Sequence, residues 1–258
     1  MENFLAIEDI SMRFKGIHAI SHFSGKLAKG GIYGLIGTNG AGKTTLINIL
    51  SGQQQPSEGC VYLEGSRISG VRPDLVARLG VGRTYQTQRL FGKMTCLENV
   101  TIGAQINKGY NLVQALLNSP GYWRKERAIR DTAMEMLEVA GIAARAEDRA
   151  DSLPYGEQRL LEIARTLAAK PKLLLLDEPA AGMNPRESAN LVKTIRRIRE
   201  RYGLTILLIE HDMKVVMGLC EYIYVMAFGE TICRGTPEQV REDARVIEAY
   251  LGKAAVRA

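Results

Sequence analysis

The 258 residues carry 34 Lys and Arg against 28 Asp and Glu, a formal charge of +6, with 46% hydrophobic and 24% charged residues. That is the balance of a globular protein with room for one large domain or two closely joined lobes, and it excludes a disordered or low-complexity chain. No stretch approaches 18 uninterrupted apolar residues, so the sequence predicts no transmembrane helix, and the N-terminal MENFLAIEDI lacks the apolar core of a signal peptide.

In chain order, Phe4–Phe14, Ile17–Leu27, Gly31–Ile36 and Cys60–Leu63 are rich in β-branched and aromatic residues and broken by glycine, which predicts strands. Lys43–Leu50 between the last two predicts a helix stopped by Gly52. From about Thr87 to Asp151 the spacing turns helical, over Leu97–Ala104, Leu112–Leu117 and Trp123–Val139, with Asn118-Ser119-Pro120-Gly121 expected as a loop. Glu157–Ala169 gathers Leu160, Leu161, Ile163, Ala164, Leu167 and Ala168 on one apolar side and ends before Pro171. Then strands at Leu173–Leu176 and Thr205–Ile209 alternate with helices at Arg186–Arg201 and Met213–Leu219, the pattern of a parallel sheet covered on both faces. Tyr222–Met226 and Thr231–Arg234 read as a closing hairpin around Phe228-Gly229.

Gly37-Thr38-Asn39-Gly40-Ala41-Gly42-Lys43-Thr44, followed by Thr45, fits GxxxxGK[ST] and lies directly between a predicted strand and a predicted helix. Glycines there let backbone N–H groups close around phosphate oxygens, and the helix N-terminus adds partial positive charge. Lys43 is expected to bridge the β- and γ-phosphates of ATP, and the Thr44 hydroxyl to ligate Mg²⁺. Leu173–Leu176 delivers Asp177 and Glu178 together at the C-terminal end of a buried strand, the edge where open α/β sheets bind ligands. Asp177 is expected to hold the Mg²⁺ shell and Glu178 to act as general base on water. These features alone fit any P-loop ATPase.

Three further segments narrow the reading: Ser152-Leu153-Pro154-Tyr155-Gly156-Glu157-Gln158 opening a helix, Ile209-Glu210-His211-Asp212 after the next buried strand, and Gln86 where sheet-like sequence gives way to helix. In this order they resemble the signature motif, switch histidine and Q-loop of ABC ATPases, over essentially the whole chain. Arg83-Thr84-Tyr85-Gln86, the tyrosine-bearing signature, Asp177 to Pro185, Glu210 to Lys214, Gly235 to Gln239 and Ala249-Tyr250-Leu251-Gly252 are most similar to the larger ATPase subunit of branched-chain amino acid importers. The resemblance implies an α/β P-loop NTPase (RecA-like) core with an N-terminal antiparallel β-subdomain and an inserted helical subdomain. Residues 1–86 and 157–258 would form the nucleotide-binding lobe and 87–156 the helical lobe of a single domain. It also implies that Phe14 stacks on adenine, that His211 contacts the γ-phosphate, and that Gln86 reaches Mg²⁺ or the attacking water. Tyr155, Gly156 and Glu157 would face the γ-phosphate held by a second ATPase subunit.

The implied partners are that second ATPase subunit, identical or related, integral membrane permeases and, indirectly, a substrate-binding protein. The expected place is the cytoplasmic face of the membrane, with Leu90 and Phe91 lining a groove for the permease. Amide or urea importers, exporters, a regulatory subunit that binds ATP without cleaving it, and soluble ABC ATPases acting on DNA or ribosomes are the alternatives. The last usually carry long coiled coils or fused halves, absent here, and the basic residues form no stripe with interleaved aromatics, which argues against nucleic acid. Two departures from the general ABC pattern stand out: Pro154 replaces a serine in the signature, and Asn184 replaces an aspartate after Asp177. The run Arg196, Arg197, Arg199, Arg201 reads as a solvated helix face, and Trp123 as a packed residue at a helix start. Cys60, Cys96, Cys220 and Cys233 form no ligand spacing in sequence and read as buried free thiols, and His18, His22 and His211 form no metal cluster in sequence either.

Overall fold

The computed structural model describes residues 4–87, 89–106 and 120–251. The helix expected over Leu112–Leu117, Asn118 and Ser119, the first three residues and Gly252 lie outside the described residues. Strands are β1 (Leu5–Phe14), β2 (Ile17–Leu27), β3 (Ile32–Gly37), β4 (Glu58–Leu63), β5 (Ser66–Arg67), β6 (Val81–Arg83), β7 (Leu173–Asp177), β8 (Thr205–Ile209), β9 (Tyr222–Ala227) and β10 (Glu230–Gly235). Helices are α1 (Lys43–Leu50), α2 (Pro73–Arg78), α3 (Cys96–Gln105), α4 (Pro120–Ala140), α5 (Tyr155–Ala168), α6 (Pro185–Tyr202), α7 (Met213–Leu219), α8 (Pro237–Glu242) and α9 (Ala244–Leu251).

Two sheets result. β2-β1-β4-β5 is antiparallel, and β10-β9-β3-β8-β7-β6 is parallel apart from the antiparallel β9–β10 edge. The continuous apolar runs of β7 and β8 follow from burial on both faces. Leu174, Leu176, Ile206 and Leu208 face a core shared with α3–α7, whereas Leu173, Leu175, Leu207 and Ile209 face a second core with α1 and the antiparallel sheet. Leu35 of β3, Ile209 of β8 and Asp177 of β7 fall in one row across three neighbouring strands. Two interstrand steps of about 4.8 Å put Asp177 roughly 10 Å from Leu35, two residues before the loop at Gly37.

Pro120 and Gly121 lie in the first turn of α4 and not in the expected loop. A proline lacks only an N–H that has no intrahelical acceptor at that position, so the helix starts early. From there Ile129, Ala133, Met136, Leu137 and Ala140 form its buried stripe against α3 and α5. Trp123 is 59% exposed, its ring edge-on to Tyr122, which corrects the expectation of a packed tryptophan. The arginines of α6 also depart from a purely solvated face: Arg199 bonds Gly30 O and Glu221, Arg201 bonds Glu135, and Arg196 bonds Gly218 O. They tie α6 to the chain just before β3 and β9, to α7 and to α4. Among the described residues all four cysteines are free, three of them buried, and no His/Cys/Asp/Glu cluster is arranged for a metal. None of the described helices is long and apolar enough to cross a membrane.

Candidate nucleotide site

The loop after β3 closes on α1 through Gly42, whose φ of 98° is a left-handed conformation and whose neighbourhood leaves no room for a side chain. A Cβ there would stand 2.4 Å from Ala19 O of β2. The first N–H groups of α1 have no acceptor within the helix, no acidic residue occupies its first turn and no side chain caps it. The Lys43 ammonium turns back over the loop, donating to Gly37 O at 2.7 Å and Thr38 O at 3.0 Å. Burial pulls its pKa down, opposed by the nearby charges of Glu178 and Asp177. The first N–H groups of α1 and a poorly solvated cation therefore lie together, features that suit a polyphosphate.

Gly42→Ala is expected to unsettle this loop, because the left-handed φ costs an alanine about 1–2 kcal/mol before the clash is counted. The thermal midpoint should fall by roughly 2–8 °C. The further rise that saturating ATP gives the parent should be absent in differential scanning fluorimetry. A variant that ATP stabilises as it does the parent would show that the close approach to Ala19 is irrelevant to binding.

Opposite the loop, the C-terminal end of β7 carries the two acids. Asp177 Oδ2 accepts from Arg83 Nη2 at 3.1 Å, both side chains being buried. Arg83 donates in turn to Asn48 Oδ1, Ser51 Oγ and Gln53 Oε1, so one oxygen of Asp177 is anchored to the end of α1. Glu178 follows at φ 48°, in the left-handed region, its N–H bonded to Ile209 O at 2.9 Å. Gln86 Nε2 donates to Glu178 Oε2 at 3.0 Å, and His211 Nδ1 stands 3.9 Å from that same oxygen. Glu210, fully buried and with its pKa pushed up by burial, accepts from Ala180 N and His211 N. It thereby ties the turn after Glu178 to the segment that carries the histidine.

Lys43, Asp177, Glu178, Gln86 and His211 are thus neighbours through charge or direct contact. Among the described residues no hydrogen bond or ion pair joins Phe14, 42% exposed at the end of β1, to this group. Tyr155, Gly156 and Glu157 stand apart as the first turn of α5, with Pro154 as a cap that offers no side-chain bond. Glu157 pairs with Arg145 at 3.2 Å, and Gly156 lies against Glu187. Asn184 caps α6, its Oδ1 accepting from Arg186 N and Glu187 N at 3.0 Å each. That oxygen is engaged within its own helix.

Sequence reading missed Arg83, Glu210 and the pair Arg159–Glu162. The signal for the pair was present: two charges three residues apart within the helix Tyr155–Ala168, beside the apolar Leu160, Leu161 and Ile163. Arg159 and Glu162 are 3% and 1% exposed and bonded to each other at 3.2 Å.

A family model described as ABC transporter matches residues 20–181, and one described as branched-chain amino acid ATP-binding cassette transporter matches residues 230–256. The chain is 43% identical over 250 residues to the high-affinity branched-chain amino acid transport ATP-binding protein LivG of Salmonella typhimurium, covering 97% of this chain and 98% of that one. It is 41% identical to the Pseudomonas aeruginosa protein of the same description, BraF, with the same coverage. The fold superposes with a TM-score of 0.85 at 32% identity on a crystal structure titled as the ADP conformation of an ATP-binding cassette of an ABC transporter, covering 98% of this chain and all of that one.

Proposed function

This chain belongs to the ABC transporter family of ATP-binding subunits, and on that premise we propose that it powers an importer of branched-chain amino acids through separate membrane subunits. The observation that carries the hydrolytic half is the convergence of Gln86 and His211 on one oxygen of Glu178, beside Asp177 and within charge range of Lys43. The near full-length likeness to branched-chain amino acid transport subunits supports the solute.

In the mechanism that this supports, Lys43 exchanges Gly37 O and Thr38 O for β- and γ-phosphate oxygens, while the backbone from Thr38 to Thr45 cradles them. Phe14 stacks on adenine. Glu178 accepts the proton of the attacking water, and Gln86 fixes the carboxylate that does so. His211 steadies the γ-phosphate in line. Thr44, Asp177 and the Gln86 amide oxygen are hard oxygen donors that would hold Mg²⁺. When bound, Mg²⁺ neutralises charge on the β- and γ-phosphates. Tyr155, Gly156 and Glu157 present the start of α5 to the γ-phosphate held by a second ATPase subunit. The missing hydroxyl and N–H at Pro154 leave fewer donors for it, and the Asn184 oxygen is occupied by its own cap.

The likeness to transport ATP-binding proteins supports a pore supplied by separate permease subunits, with this chain peripheral on the inner face. Exposed Phe91, with Leu90 beside it, contributes to the docking groove. The test is reconstitution with the permease and binding-protein subunits that co-purify with this chain, in vesicles enclosing Mg·ATP. ATP-dependent accumulation of leucine, isoleucine and valine is expected. Uptake of urea or amides in their place, or net export, would overturn the solute or the direction.

A further inference from the structure

Helix α5 does more than present its first turn. Arg159 donates to Tyr85 O at 2.7 Å, to Gln86 O, and to the Tyr155 hydroxyl at 2.9 Å, while Glu162 accepts from Tyr85 N at 3.1 Å. One helical turn further on, Arg165 donates to Arg89 O. Three charged side chains on one flank of α5 thus grip the backbone at Tyr85, Gln86 and Arg89, across more than seventy residues of sequence. The only side-chain reach from this segment into the hydrolytic group recorded among the described residues is Gln86 to Glu178.

Buried ion pairs are seldom retained for stability, since well-packed hydrocarbon of the same volume serves as well or better. Hydrocarbon could not bond the peptide groups of Tyr85 and Gln86, and the planar guanidinium fork suits two adjacent carbonyls as an ammonium does not. We propose that Arg159, held by Glu162, is a positioning residue that sets Gln86 against Glu178. Tyr155, at the start of the same helix, shares this guanidinium. The face offered to the partner's nucleotide and this chain's own hydrolytic carboxylate are therefore linked through Tyr155, Arg159, Gln86 and Glu178.

The inference rests on Glu178 being the base. Its test is a double-mutant cycle on the full-length chain, reading kcat for phosphate release and the dissociation constant of mant-ATP. Arg159→Met with Glu162→Leu, an apolar replacement for the whole pair, is expected to lower kcat at least about tenfold with mant-ATP affinity within about threefold of the parent. Gln86→Ala should cost a similar factor, and adding it to the pair variant should cost almost nothing more. A purely structural role would give losses that multiply. If the pair variant fails to fold, Arg159→Lys, which keeps the charge beside Glu162 without the fork, should still lose about fivefold in kcat. Multiplying losses, or parental kcat in either Arg159 variant, would overturn the proposal. Turnover retained by Glu178→Gln would instead overturn the reading on which it stands.

Discussion

Glu178→Gln is expected to bind ATP as the parent does while phosphate release falls by roughly a hundred- to ten-thousandfold, the range a positioned general base contributes. Glutamine is nearly isosteric and keeps an oxygen to accept the Gln86 amide at 3.0 Å. It tolerates the φ of 48° no worse than glutamate does, so the Ile209 contact should survive. Only the ability to take a proton is lost. With hydrolysis blocked, ATP should accumulate between two copies, visible as an ATP-dependent dimer in size-exclusion chromatography. Turnover within tenfold of the parent would sink the base assignment.

Lys43→Met should act on the other half of the site. An ammonium bonded to two phosphate oxygens makes two charge-assisted hydrogen bonds, each contributing about 1.5–3 kcal/mol. Their joint loss weakens ATP binding by roughly 10²–10⁴-fold. In the free protein methionine removes a desolvated charge but also takes the donor from Gly37 O and Thr38 O, and the two effects oppose each other, so the melting temperature without ligand should change by no more than about 4 °C. Mant-ATP titration measures the effect. Affinity within tenfold of the parent would remove Lys43 from the phosphate cradle.

Legibility in the sequence followed the range of the interaction. Lys43–Leu50, Thr205–Ile209 and Met213–Leu219 have the bounds that the apolar pattern predicted. Their signals are local: a glycine-rich loop before a helix, and apolar runs of strand or helix length. Short or interrupted elements such as Pro73–Arg78 and Val81–Arg83 escaped, since six and three residues carry too little periodicity to register.

The sequence by itself determined which residue types stand in the loop from Gly37 to Thr44, in Asp177-Glu178 and in Glu210-His211, and that each terminates a buried strand. Contiguous chemistry of this kind is written in neighbours. Only the tertiary structure decided that Asp177 is shared with Arg83, that the Asn184 oxygen belongs to its own helix cap, and that Arg159 and Glu162 grip Tyr85 and Gln86. The reason is physical. A charge in a helix pattern looks the same whether it meets water or a peptide group seventy residues away, and only packing brings that partner within hydrogen-bond reach.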